Sequence, residues 1–211
     1  MIRLRTIPPF ALALALALLV PAAATASAQV AAQATPAKAP TMVAPAKAID
    51  AMLTAYENEL TGLAKAMPAD KYSFAPSSAV FAAGAPAKFE GVRTFAQQMT
   101  HLAQANYGIY GFAFGIKPDV DMKSFATMTD KDAILKSLAD SFVFAHKAVA
   151  TLTRENFFES VRGDQTRGEL AAYAVARGYD HYGQSVEYLR MNGIVPPSSD
   201  GKPAANPAKK M

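Results

Sequence analysis

The chain has 211 residues, enough for one ordinary domain whose core needs no staple. It has no cysteine, which excludes disulfides, a thiol nucleophile and thiolate metal ligands. Its net charge of +4 falls to +2 once Arg3 and Arg5 of the leader described next are subtracted (+4 − 2). That is too mild for a nucleic-acid binder, and no Lys/Arg cluster with interleaved aromatics appears.

The N-terminus reads as a secretory signal peptide over residues 1–28. Arg3 and Arg5 form a positive n-region, residues 10–20 (FALALALALLV) are an unbroken apolar run, and Ala26-Ser27-Ala28 is a small-x-small cleavage site. The run is short for a membrane span, and no later segment is long and apolar enough to cross a bilayer. The expected location is therefore periplasmic or secreted, with no membrane association after cleavage. Residues 29–46 are Ala, Pro, Thr and Lys with little large to bury, and read as a flexible linker. Residues 196–211 have the same character and read as a disordered tail, which leaves residues 47–195 as the folded unit.

Within that unit the apolar residues repeat at spacings of three and four. Ile49, Met52, Leu53, Tyr56, Leu60, Leu63 and Met67 mark a first amphipathic helix, stopped by Pro68. Phe95, Met99, Leu102, Asn106, Ile109 and Phe112 mark a second, fading at Gly108, Gly111 and Gly115 and ending before Pro118. Those glycines lack the Lys-Ser/Thr of a phosphate loop and read as close packing or a widened pocket mouth. A third helix is predicted to start at Thr129 as N-cap, with Leu135, Leu138, Phe142, Val149 and Leu152 as its stripe. Thr166-Arg167-Gly168-Glu169 is a capping box that opens a fourth. It runs through Leu170, Tyr173, Ala174, His181, Tyr188 and Leu189 to Asn192-Gly193. Nothing alternates convincingly with period two. The expected fold is all-α, a four-helix bundle with long connections after helices one and two and at least one crossover.

Polar residues interrupt two of the stripes. Helix two carries Thr94, Gln98, His101, Ala105 and Gly108 on a face of its own, and helix four stacks Arg177, His181 and Gln184 at i, i+4 and i+7. Two helices each turning a His inward is how bundles build metal sites, and is also how they seat a hydrogen-bonded core His. His146, beside Lys147 on helix three with no carboxylate at ligand spacing on that helix, reads as a structural or surface residue. Glu57 and Glu59 do not share a face. Residues Gln98, Val143 and Gly178, three before each His, exclude the Glu-x-x-His di-iron signature.

The end of helix four, Asp180-His181-Tyr182-Gly183-Gln184 followed by residues 188–197 (YLRMNGIVPP), resembles the DinB-like superfamily, which contains bacillithiol transferases and mycothiol-dependent maleylpyruvate isomerase. Residues 67–72 (MPADKY), Ala75-Pro76 and residues 94–101 add weaker matches, so the resemblance covers nearly the whole folded unit. It implies a DinB-like bundle in which three histidines bind a divalent ion, one from helix two and two from helix four. His101 stands at the first ligand position and His181 at the last. Arg177 stands at the middle one, four before His181, and Tyr182 follows where Arg or His is usual. A guanidinium cannot donate a lone pair to a metal.

The expectation is a degenerate metal site in an exported protein. Arg177 replaces the ion's charge, and Arg177, Gln184 and Gln98 with the histidines form a pocket for a small anion. No cofactor is expected; if one is held, it is Zn or Ni. The alternative is a divalent-metal-dependent transferase or hydrolase using His101 and His181, although export separates the protein from cytosolic thiols. A structural bundle without a ligand is the third reading. The expected partner is a small molecule, not nucleic acid, and a homodimer stays open.

Overall fold

The four apolar stripes fold as four helices: α1 (Pro45–Ala66), α2 (Phe95–Phe114), α3 (Lys131–Val149) and α4 (Arg167–Met191). The structure is a computed structural model that describes residues 41–80, 84 and 88–201; residues 1–28, read above as a signal peptide, and residues 202–211 lie outside the described residues. Around the bundle α1 packs on α3 and α4, and α2 packs on the same two, so the order is 1-3-2-4. The connections after α1 and after α3 therefore cross a diagonal, whereas that after α2 joins neighbours. All four stripes meet in one core, with Leu53, Leu60, Met99, Leu102, Leu138, Phe142 and Leu189 nearly sealed from solvent.

Several backbone groups left free at the helix ends find partners. Thr94 and Gln97 form a reciprocal capping box on α2, and Thr166 and Glu169 form the expected one on α4. The amides of Phe95 and Ala96 also donate to the carbonyls of Phe74 and Tyr72, which ties the long first connection to the start of α2. The ammonium of Lys131 donates to the carbonyls of Lys65 and Met67, closing the C-terminus of α1 with a cation from the start of α3. At the end of α2, Gly115 turns left-handed at φ 67° and the Ile116 amide reaches back to the Gly111 carbonyl.

Several boundaries differ from expectation, each for a local reason. Asp130, not Thr129, caps α3: its carboxylate accepts from the Ala133 amide, and an anion is the better group at a helix N-terminus. Helix α1 begins at Pro45, inside the stretch read as linker, because Pro at the first helical position has no N–H to leave unsatisfied. Residues 197–199, read as part of a disordered tail, form a 3-10 turn against α1, where Pro197 sits beside Gly62. The largest miss is a small hairpin, β1 (Ser160–Arg162) and β2 (Gln165–Thr166), on the connection after α3. Gly163 (φ 56°) and Asp164 make its two-residue turn.

His146 is not a bystander. Its Nδ1 lies 2.6 Å from Asp50 Oδ1 and its Nε2 lies 3.0 Å from Glu57 Oε2, both carboxylates from α1. Asp50 and Glu57 are two turns apart on one face, so the ring bridges them and clamps α3 to α1. Burial works against the charged ring, but the hydrogen bonds and charges of the two carboxylates outweigh it and hold the His146 pKa above its ordinary value. For a His with a raised folded pKa, the stabilisation is complete below about pH 6.5 and disappears as pH rises through the raised value. His146→Gln is therefore expected to lower stability by about 1–2 kcal/mol at pH 5.5 and by much less at pH 9, a range that allows for the site's partial exposure. Urea unfolding at the two pH values tests this; an equal or larger loss at pH 9 would contradict the clamp.

Candidate functional site

α2 and α4 bring His101, Arg177 and His181 together. The imidazoles of His101 and His181 are 4.8 Å apart between ring centres and inclined at 74°. Arg177 Nη2 lies 3.1 Å from His101 Nε2. A guanidinium can only donate, so His101 must accept there and carries its proton on Nδ1. Burial first, then the charges of Arg93, His181 and Arg177, push the His101 pKa down to about 4, so the ring is neutral at physiological pH.

His181 is held by a relay of amides. Its Nδ1 is 2.9 Å from Gln98 Oε1, Gln98 Nε2 donates to Gln184 Oε1 at 3.0 Å, and Gln184 Nε2 donates to Asp180 Oδ2 at 3.3 Å. The carboxylate at the far end orients every donor toward itself, which leaves His181 as the Nδ1–H tautomer. Its Nε2 lone pair is then buried without a partner among the described residues. Burial and the Arg177 charge lower the His181 pKa, Asp180 opposes them, and Arg93 lowers it further. Asp180 and His181, neighbours that point apart along the helix, are thus joined through two glutamines. Gln98 is buried and Gln184 exposed; both orient His181, and neither lines the adjoining cleft.

That cleft, of about 590 Å³, opens between α2, α4 and the hairpin. His101, Arg177 and Gln104 form its polar end, and Ile109, Phe112, Leu170 and Tyr173 line its body. Gly108 borders it with open space where a side chain would stand, as a widened mouth requires. Phe112 and Tyr173 were expected in the core, yet they are 47% and 50% exposed because they form this wall. On the other side of His101 a second, more polar recess of about 430 Å³ is lined by Arg93, Gln97 and Thr100. Sequence reasoning missed Arg93, Gln104 and the hairpin residues Arg162 and Gln165. Arg93 lies just before the α2 cap and has no periodic position that would reveal it, while Gly163-Asp164 was a usable turn signal.

The set is a poor metal site as it stands. One imidazole lone pair already receives the Arg177 proton, no third imidazole or carboxylate among the described residues converges, and the guanidinium's charge repels a cation. Among the described residues no group of three or more His, Cys, Asp or Glu side chains is arranged to hold an ion. The arrangement instead offers fixed positive charge beside an apolar wall, plus one buried acceptor. Among the described residues no helix is long and apolar enough to cross a membrane.

Compared with known proteins, residues 52–185 match the family model of the DinB superfamily. No curated protein matches the chain.

Proposed function

The chain belongs to the DinB superfamily, and from that footing we propose that it is an exported binding protein in which a small organic anion takes the place of a metal ion. The observation that carries this reading is the hydrogen bond from Arg177 Nη2 to His101 Nε2. It uses the lone pair a metal would need, and it takes only one of the two Nη2 protons, so the other can pair with Nη1–H or Nε–H in a fork for a carboxylate. Arg93 adds a second positive charge near both rings, and it is the arginines, not the neutral histidines, that supply the charge. The unpartnered Nε2 of His181 is an acceptor, so a ligand reaching it would bring a hydroxyl, an N–H or an acid proton. The apolar wall of Ile109, Phe112, Leu170 and Tyr173 suits a hydrocarbon or aromatic body. The export reading rests on the n-region, apolar run and cleavage site of residues 1–28.

The alternative, a divalent-metal-dependent transferase or hydrolase, draws on the buried lone pair of His181, whose Nδ1–H is fixed by an acceptor as in metal-bound histidines. It requires Arg177 to leave His101 and a third ligand to arrive. The two readings separate in one set of measurements on protein purified without a His tag. Elemental mass spectrometry is expected to find no stoichiometric Zn or Ni, and added Zn or Ni is expected to leave the melting temperature unchanged. Calorimetry is expected to show an apolar monocarboxylate such as dodecanoate binding, and Arg177→Gln is expected to weaken it by roughly tenfold or more, the scale of one charge-assisted contact. Stoichiometric metal, or dodecanoate binding indifferent to Arg177, would overturn the anion reading.

A further inference from the structure

The hairpin places a second cation on the same cleft. Arg162 sits on β1 directly opposite Gln165 on β2, and its Nε and Nη2 both donate to Gln165 Oε1, at 3.2 and 2.8 Å. Its guanidinium lies over the Phe112 ring, 5.3 Å from the centroid. The stem, the ring and the glutamine thus hold an exposed arginine in one orientation, with Nη1 left without a protein partner among the described residues. A long surface side chain usually loses considerable rotamer freedom when it grips a ligand; here much of that ordering is already done. Arg162, Gln165 and Phe112 all line the cleft whose other end is His101 and Arg177.

The spacing of the two cations follows from α2. His101 carries Arg177 at one end and Phe112 carries Arg162 at the other, and eleven helical residues rise about 16 Å. Between them the wall is apolar. We propose that the β1–β2 hairpin supplies a second acid-binding contact, Arg162, so that the ligand is an elongated molecule with an apolar body and an acidic group at each end. This rests on the anion reading of Arg177 and adds to it a length and a second charge. A ligand with a single acid would leave the Arg162 end of the cleft facing hydrocarbon, whereas a diacid of matching length satisfies both guanidinium groups and covers the wall with its chain.

The test compares two acids of equal chain length, dodecanedioate and dodecanoate, by calorimetry on the intact purified protein. Dodecanedioate is expected to bind roughly tenfold more tightly. Arg162→Gln is expected to bring dodecanedioate down to the level of the monoacid, and Arg162→Lys, which keeps the charge without the fork, to retain part of the preference. Arg177→Gln is expected to weaken both acids. Equal binding of the two acids, with Arg162→Gln weakening neither and Arg177→Gln still weakening both, would remove the second contact and leave the anion pocket standing. No binding of either acid would overturn both.

Discussion

Replacing Gly178 with alanine is expected to destabilise the bundle by about 2–4 kcal/mol, although alanine is the better helix former by about 1 kcal/mol. Gly178 is buried on α4, one residue after Arg177, and faces the ring of Tyr56 on α1. A methyl group built there would fall within 2.6 Å of Tyr56 Cε1 and of its hydroxyl oxygen, far inside any tolerated contact. Tyr56 has nowhere to retreat: it is fully buried, edge-on to Phe142 at 5.3 Å and against Tyr179 at 5.4 Å. Relief must therefore come from moving α1 away from α4, which loosens the core on both helices. Urea unfolding of Gly178→Ala, Tyr56→Leu and the double variant checks the mechanism. The double variant is expected to be at least about 1.5 kcal/mol more stable than the sum of the single changes, because the smaller residue vacates the space. Additive effects, or a stabilised Gly178→Ala, would show that the contact does not limit helix approach. Tyr56→Phe is a milder companion: the Tyr56 hydroxyl has no hydrogen-bond partner among the described residues, so its removal is expected to cost little or to stabilise.

Arg177→His is expected to turn the site from repelling divalent ions to binding them, with Zn affinity rising about 100-fold or more over the parent protein, near 2.7 kcal/mol. The change does three things at one position. It removes a fixed positive charge, releases the Nε2 lone pair of His101, and adds an imidazole four residues before His181 on the same helical face. The His181 lone pair is already free, with its tautomer held by Gln98. Arg177→Gln separates charge from coordination, since it discharges the site without adding a ligand. Zn titration followed by calorimetry, with Co substitution to read the coordination geometry from its visible absorption, distinguishes the two. If the His and Gln variants bind Zn equally weakly, the three side chains do not converge as the structure places them, and the reading of Arg177 as a stand-in for a metal's charge loses its basis. Without added metal, both variants are expected to bind dodecanoate roughly tenfold or more weakly than the parent.

Much of the site was legible before any coordinates, for a definite reason. Residues 177, 181 and 184 share a face because helical spacing alone puts them there, and His101 and Gln98 share another by the same rule. What spacing does not say is which atom meets which. That His101 accepts from Arg177 while His181 donates to Gln98 depends on how two helices are rotated against each other. The partners of His146 are invisible in the sequence for a related reason: spacing along α3 carries no sign of Asp50 and Glu57, which come from α1 nearly a hundred residues earlier. Phe112 and Tyr173 mislead in the opposite way, because a large apolar residue at a core period looks the same whether it meets a neighbouring helix or a cleft.

By itself, the sequence determined the helical architecture, since four stripes with period 3.6 can be buried together only as a bundle, and the capping box at Thr166–Glu169 and the stop at Pro68 are local events set by a few neighbouring residues. It also determined that an arginine stands four residues before His181. The tertiary structure alone decided the 1-3-2-4 order, the proton position on each imidazole, the clamp at His146 and the reach of the hairpin's Arg162 into the cleft. These depend on contacts between residues far apart in the chain, and such contacts leave no periodic trace along it.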